Sequence, residues 1–165
     1  MQIPRATRPV FPPGYIENPQ GFVAWEWVEG RLKDEKNYWL GSTRPDGRPH
    51  VVPKWMVWVG GQLYFDGSPQ TRHARNLAAN PAAVVHLGNG DEVVILEGAV
   101  RALDRPAAAL AQAVAAEYTR KYERFGYSPQ PDQWDAGGLF AVSPVQVITW
   151  SEFTKDPTKF RFEAV

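Results

Sequence analysis

Alternating apolar and polar residues dominate the middle of the chain and predict β-strands. One face of a strand predicted from about residue 48 to 59 is apolar: Val51, Pro53, Trp55, Val57 and Val59. Its other face is mixed: Arg48, His50, Val52, Lys54, Met56 and Trp58. A strand with one mixed face is typical of an outer wall or of a ligand wall. Because proline cannot donate a ladder hydrogen bond, Pro53 favours an edge, a bulge or a free stretch of backbone.

Five further strands are predicted from the same alternation, at about residues 38–43, 62–65, 82–87, 92–103 and 139–150. Two turn signals join neighbouring strands, Arg44-Pro45-Asp46-Gly47 and Gly60-Gly61. The strand at 92–103 is apolar on both faces except for Glu97. We therefore expect a central strand in which this carboxylate is paired with an arginine or histidine, since an isolated buried charge is very unfavourable. The alternative is that Glu97 is a catalytic acid.

Apolar residues at helical spacing predict three helices. The first covers about residues 22–36 and follows Asn18-Pro19. The second covers 68–79, with Ser68 as N-cap and proline at the first helical position, and it ends at Asn80-Pro81. The third covers 104–124, capped by Asp104 and followed by Gly126.

About six strands with short hairpins and few helices predict a mainly β (α+β) fold, an antiparallel barrel with flanking helices. Residues 1–17 are rich in proline and show little periodicity, so we expect an extended N-terminal arm. Residues 18–165 then form a single domain without internal repeats.

Composition narrows the possible functions. The 165 residues carry no net charge, which argues against nucleic acid or membrane surfaces as partners. Cysteine is absent and the three histidines are scattered, so neither disulfides nor a metal site are expected. Because the start lacks the apolar core of a signal peptide and no apolar run is long enough to span a membrane, we expect a cytoplasmic protein.

Seven tryptophans are many for one small domain. They either fill the core, which is the more ordinary explanation, or indicate a dimer interface or an aromatic ligand pocket.

The start of the second predicted helix combines free backbone N–H groups with Arg72, His73 and Arg75. Such a helix start is a possible anion site, and the strand leading to it could hold a flat ring whose phosphate lies at the helix. The alternative is a solvated basic face on a connecting helix. Phosphate-binding loops, dinucleotide fingerprints and nucleophile elbows are all missing from the sequence, so the positive signal is a cofactor site.

Three segments together resemble the split β-barrel superfamily of pyridoxamine 5′-phosphate oxidases: YWLGSTRPDGRPHVVPKWMVWVGGQLYF, DGSPQTRHARNLAANPAAVVHL and VVILEGAV. The tail motif PTKFRF resembles the flavin- and deazaflavin-dependent oxidoreductase branch. The resemblance implies a six-stranded split barrel and a homodimer with FMN, or alternatively the deazaflavin F420, at the subunit interface. It also implies hydride transfer between that cofactor and a small organic substrate.

The resemblance places the backbone of Val51, Val52, Pro53 and Lys54 against the cofactor ring. It places His50, Trp55 and Trp58 on the ring or substrate side. It places the phosphate near Ser68, Thr71, Arg72, His73 and Arg75. No catalytic side chain is implied, because the protein groups would only position and polarise. Two positions depart from the family pattern, since Val52 replaces an arginine and His73 a lysine that commonly bind the phosphate. An alternative is therefore a non-catalytic protein that binds FMN, F420 or another small anion.

Overall fold

The computed structural model describes residues 3–163 and contains nine strands and three α-helices in this part of the chain. The strands are β1 Arg5–Thr7, β2 Tyr38–Thr43, β3 Pro49–Lys54, β4 Val57–Val59, β5 Gln62–Asp66, β6 Ala82–Leu87, β7 Val93–Leu103, β8 Leu139–Trp150 and β9 Thr158–Arg161. The helices are α1 Trp25–Asp34, α2 Arg72–Ala79 and α3 Ala108–Tyr122. Two short 3₁₀ turns, Glu123–Phe125 and Pro131–Trp134, follow α3.

All strand pairs are antiparallel, and the main path through the sheet runs β1-β9-β8-β7-β6-β2-β3. From β8 a second path leads to β5 and then β4. β4 follows β3 in the chain and pairs with β5, but it does not pair with β3. The strands therefore nearly close a ring, which stays open between β3 and the β4–β5 pair. The predicted mainly β antiparallel fold is thus confirmed, and the number of strands differs for two reasons. The arm and tail add β1 and β9, and the long strand predicted at 48–59 is divided.

That division lies at Trp55 and Met56, which belong to neither β3 nor β4. The burial of the two faces is also opposite to what the alternation suggests. Val51 on the apolar face is 52% exposed, whereas His50, Val52 and Lys54 on the mixed face are half-buried. The mixed face is therefore not an outer wall, because α2 packs on that side of β2 and β3.

All three helices begin later than predicted. α1 starts at Trp25 because the chain before it is extended. α2 starts at Arg72 with Thr71 as its N-cap, whose hydroxyl accepts a hydrogen bond from the Ala74 N–H (3.4 Å). Ser68 instead stabilises the turn before the helix, where its hydroxyl accepts from the Gln70 N–H (3.2 Å). α3 starts at Ala108, so Asp104 is not its cap.

The core consists of two apolar clusters on either side of the sheet. The larger fills the space inside the curved strands beneath α1 and α2, and Trp25 and Trp58 are buried there. The smaller lies between α3 and the strands β4, β5 and β8, and it contains Trp134. Three of the seven tryptophans therefore fill the core, whereas Trp39 is 38% exposed on the sheet surface.

The arm is held by the tail, because β1 pairs with β9 and Arg8 Nη1 donates to the Pro157 carbonyl (2.7 Å). Residues 1–2 of the arm and 164–165 of the domain lie outside the described residues. The prediction for Glu97 is wrong. Its side chain is exposed and accepts a hydrogen bond from Gln146 Nε2 (2.9 Å), because nothing within residues 3–163 covers that face of β7. No helix in this range is long and apolar enough to cross a membrane.

Candidate functional site

A pocket of about 390 Å³ lies where β3 ends. Its lining comes from four parts of the chain: Asn37, Pro53, Lys54, Trp55, Asp66 and Tyr127. The opening between β3 and β5 creates this space, because the backbone turns away from the sheet after Lys54. The pocket thus sits at the split in the ring of strands.

Lys54 connects the pocket with the inside of the fold. Its Nζ donates to the Asp66 carbonyl (2.7 Å) and lies 5.5 Å from the Phe65 ring centroid. Burial lowers the pKa of the Lys54 ammonium, and the Asp66 carboxylate partly offsets that effect. Gly67 directly follows Asp66 and has a φ of 152°, and a Cβ on this residue would lie 3.4 Å from Lys54 Nζ. A Cβ at this position would thus touch the ammonium at van der Waals distance.

Asp66 and the segment after α3 form the opposite wall. The Tyr127 hydroxyl donates to Asp66 Oδ2, which also accepts from Gln133 Nε2 (3.1 Å) and Trp134 Nε1 (3.4 Å). Burial and this hydrogen bond to the carboxylate raise the pKa of Tyr127, so the phenol stays protonated. The wall therefore presents a fixed carboxylate and a neutral phenol to the pocket.

Trp55 forms a flat aromatic surface in the pocket. Its ring stacks on Tyr122, with centroids 4.7 Å apart and planes inclined by 10°. Its indole N–H donates to Asn37 Oδ1 (3.2 Å), which fixes the ring in its plane. A tryptophan held at both its face and its edge is suited to contact a planar ligand.

The start of α2 lies beyond Lys54 and carries the predicted anion site. Arg72 and Arg75 are exposed, and neither forms an ion pair with another side chain within residues 3–163. His73 is 8% exposed and its Nε2 lies 3.2 Å from Thr71 Oγ1. Burial, together with the charges of Lys54 and His50, lowers the pKa of His73 to about 4. His73 is therefore neutral at pH 7 and supplies no positive charge there.

A buried polar cluster lies between α2 and the inner faces of β2 and β3. Asn76 Nδ2 donates to Ser42 Oγ (3.1 Å), whose hydroxyl lies 3.5 Å from the His50 carbonyl. Two buried atoms of this cluster, Asn76 Oδ1 and His50 Nε2, have no hydrogen-bond partner among the described residues. Polar atoms of this kind are usually satisfied by water or a ligand.

The outer face of the sheet carries a second groove of about 480 Å³. It is lined by Gly41, Ser42, Thr43, Pro49, His50, Val51, Ala82, Ala83, Val84, Glu97, Gly98 and Val145. Val51 and Val145 are 52% and 59% exposed. These two valines leave an apolar surface open on this face of the sheet.

The predicted site residues fall into three groups. Pro53, Lys54 and Trp55 line the pocket, and Ser68, Thr71, Arg72, His73 and Arg75 lie at or just before the start of α2. Val51 lines the outer groove instead, Val52 packs against the core, and Trp58 is buried within it. His50 borders the groove, while its ring nitrogen Nε2 lies in the buried polar cluster beneath α2. Sequence reasoning missed Asn37, Asp66 and Tyr127, which lie in loops or at a strand end. A possible signal was the run of polar and aromatic residues around Tyr127 directly after a well-defined helix.

No group of three or more His, Asp or Glu side chains in the described part of the chain could hold a metal ion. The groups that converge here are an ammonium, exposed guanidinium groups, helix N–H groups and an aromatic ring. They suit a ligand that is both planar and anionic.

Comparison with known proteins gives one family. The model of the family described as pyridoxamine 5′-phosphate oxidase matches residues 24–151. This range includes the pocket, α2 and most of the sheet. No curated protein matches the chain.

Several solved structures share the fold. An F420 reductase is 24% identical with a TM-score of 0.55, over 72% of this chain and 94% of the other. The heme storage protein of Vibrio cholerae is 19% identical with a TM-score of 0.55, over 72% and 88% of the two chains. A conserved hypothetical protein of Mycobacterium tuberculosis is 19% identical with a TM-score of 0.64, over 81% and 89%. At these identities the likeness concerns the fold.

Proposed function

The chain belongs to the pyridoxamine 5′-phosphate oxidase family, and from this premise we propose that it is a flavin- or deazaflavin-dependent oxidoreductase. The cofactor is FMN or, alternatively, F420, and the reaction is hydride transfer to or from a small organic substrate. The observation that carries the proposal is that Lys54 both lines the 390 Å³ pocket and lies near enough to His73 of α2 for its charge to lower the pKa of that histidine. The F420 reductase among the similar structures supports the same class.

The residues present fit such a cofactor. The Trp55 ring and the backbone of Pro53 offer a surface for the tricyclic ring, and the Lys54 ammonium lies between that surface and α2. The free N–H groups of Arg72 and His73, the hydroxyls of Ser68 and Thr71 and the guanidinium groups of Arg72 and Arg75 hold the phosphate. When bound, the cofactor accepts or donates the hydride.

Asp66, Tyr127 and Asn37 belong to the substrate side of the pocket. The Tyr127 phenol is protonated at physiological pH and donates its one O–H to Asp66 Oδ2, so it offers the substrate a fixed aromatic ring and no free donor. Asp66 fixes the position of that phenol and keeps Gln133 and Trp134 in place. These side chains orient the substrate, and none acts as a nucleophile.

We place a second copy of the chain on the outer groove. Val51, Val84 and Val145 leave an apolar surface there, and β3 next to the pocket borders it. A copy bound there would bury this surface and cover the open side of the cofactor site. The homodimer that the family resemblance implies is part of the proposal.

A second candidate is a family member that binds a cofactor or small anion without catalysing turnover. Two features favour it: Val52 lies between His50 and Lys54 on the inner face of β3, and His73 carries no charge at pH 7. The phosphate site therefore has fewer cations than the family pattern provides. The heme storage protein shows that a similar fold also serves a protein with another cofactor.

The test is a pair of fluorescence titrations of the cofactor-free protein, one with FMN and one with F420, at pH 7.5. We expect saturable binding of one cofactor, and weaker binding by the double variant Arg72→Ala/Arg75→Ala. Arg161→Ala is the control, since Arg161 is exposed on β9 away from the pocket. Failure of both cofactors to bind at millimolar concentration would refute the proposal. Binding without oxidation of the reduced cofactor by any of a panel of quinone and enone acceptors would favour the second candidate.

A further inference from the structure

The break between β3 and β4 is held by side chains from α3. Tyr118, Lys121 and Tyr122 follow one another at helical spacing on the inward face of this helix, and all three are buried. Their polar atoms reach two consecutive residues of the break, Trp55 and Met56. No other helix of the described chain contributes hydrogen bonds to this pair of residues.

Each of these side chains forms a hydrogen bond with a backbone group of Trp55 or Met56, two residues that belong to no strand and so have no ladder hydrogen bonds. The Tyr118 hydroxyl donates to the Trp55 carbonyl (3.2 Å), and Lys121 Nζ donates to the Met56 carbonyl (3.0 Å). The Met56 N–H donates to the Tyr122 hydroxyl (3.0 Å). Met56 is fully buried, so its backbone groups would otherwise lack partners, and buried backbone groups without partners are strongly disfavoured.

The same two residues determine the shape of the pocket. Trp55 is both a pocket wall and the first residue of the break, and its ring stacks on Tyr122. Lys54 comes immediately before it. We infer that Tyr118, Lys121 and Tyr122 are positioning residues, a clamp on the Trp55–Met56 backbone that sets where Lys54 and Trp55 stand in the proposed cofactor site.

Lys121 is the titratable member of this clamp. Besides Met56, its Nζ donates to the Tyr38 hydroxyl (2.5 Å), and that hydroxyl in turn donates to the Leu32 carbonyl (2.5 Å). The charged and titratable groups around it are Tyr38 on β2, Glu117, Arg120 and Tyr122 on α3, and Asp34 and Glu35 at the end of α1. Burial outweighs the acidic neighbours and lowers the pKa of Lys121 to about 7.

A neutral amine has two N–H bonds, which match the two acceptors Tyr38 Oη and Met56 O. Protonation adds a third N–H, for which the described residues provide no hydrogen-bond acceptor. The hydrogen bonds of the clamp are therefore complete with the neutral amine, whereas the third N–H of the ammonium faces only the Tyr38 and Tyr122 rings, whose centroids lie 4.5 and 5.3 Å from Nζ.

The role of the clamp in cofactor binding rests on the proposed function, but its hydrogen bonds to the Trp55–Met56 backbone can be measured without any cofactor. Two variants are compared with the wild type by NMR, Tyr122→Phe and Lys121→Met. Phenylalanine keeps the stack on Trp55 and removes the hydroxyl, whereas methionine keeps the length and removes the amine. Gln112→Met, exposed on the same helix, is the control.

We expect the Met56 amide of Tyr122→Phe to exchange with solvent about tenfold faster, with β7 amides unchanged. In the wild type, the indole N–H resonance of Trp55 should shift with a midpoint near pH 7, and Lys121→Met should abolish that step. Each variant should also raise the dissociation constant of whichever cofactor binds. An unchanged Met56 exchange rate or a pH step that persists without Lys121 would overturn the inference.

These outcomes distinguish a failure of the proposed function from a failure of the positioning role of the clamp. If the wild type binds neither FMN nor F420, the proposed function fails while the NMR results still decide whether the clamp holds the break. If the cofactor binds but both variants bind it as tightly as the wild type, the positioning role fails and the proposed function stands. If Tyr122→Phe does not fold, Lys121→Met decides through the pH step.

Discussion

Replacing His73 by lysine is the most direct test of the anion site at α2. His73 is almost fully buried, and its pKa of about 4 means that about one molecule in a thousand carries the imidazolium at pH 7. In the proposed site, the wild-type residue therefore contributes no positive charge toward a phosphate at pH 7. A lysine would supply an ammonium at the position where the family pattern has one.

The expected change in cofactor affinity follows from the surroundings of residue 73. A hydrogen bond to a charged group contributes about 1.5–3 kcal/mol, and the neighbouring Lys54 together with burial keeps the gain near the lower value. We expect His73→Lys to lower the dissociation constant of FMN or F420 by about tenfold at pH 7.5. Because the histidine is neutral there, His73→Gln should bind within about twofold of the wild type.

The assay is a titration of cofactor fluorescence at pH 7.5 and constant salt, with thermal unfolding measured for each variant. Lysine at a buried position costs some stability, so the comparison uses only temperatures at which all three proteins are folded. A tenfold loss of affinity in His73→Gln would refute the reasoning, since it would mean that the histidine is charged or essential at neutral pH. Equal affinity of His73→Lys and His73→Gln would remove this position from the phosphate site.

Three further predictions concern stability and assembly. In the wild type, the lowered pKa of Lys121 destabilises the folded state fully below pH 7, and this cost disappears as the pH approaches 10.5; Lys121→Met has no such cost. From pH 7 to 9.5 the free energy of unfolding of the wild type should therefore rise by about 3 kcal/mol relative to the variant, measured by denaturant unfolding. A constant difference between the two proteins would contradict the lowered pKa. Gly67→Ala should lose about 1–3 kcal/mol, because a φ of 152° is unfavourable for alanine, and an unchanged melting temperature would contradict this. Val51→Asp should be monomeric in analytical ultracentrifugation if the outer groove is the dimer interface, whereas the control Val10→Asp, exposed on the arm, should assemble as the wild type does.

Local sequence patterns predicted the regular strands well. β2, β6 and β8 begin and end where their apolar alternation does, because each is bounded by turn residues or a change in periodicity. The division of the strand at Trp55–Met56 could not be predicted, since its cause is a set of hydroxyl and amine groups on α3, more than sixty residues later in the chain. The alternation continues across the break and gives no sign of it.

The residues of the candidate site could be predicted only where they lie close together in the sequence. Lys54, Trp55 and the start of α2 were found because strand, turn and helix follow one another directly in the sequence. Asp66 and Tyr127 were missed because only the tertiary fold brings them together, through a hydrogen bond between residues 61 positions apart. Which face of β3 is buried also depended on the side that α2 takes, and alternation alone contains no information about that.

The two prolines of β3 have a consequence for solubility. Arg44 N–H bonds to the Arg48 carbonyl, and the register then directs the backbone groups of His50, Val52 and Lys54 toward β2. Pro49, Val51 and Pro53 face the free edge, so Val51 alone offers an N–H there. An edge with one donor in six residues is a poor template for a foreign strand, and the chain thereby resists fibrillar self-association at the border of the apolar surface around Val51.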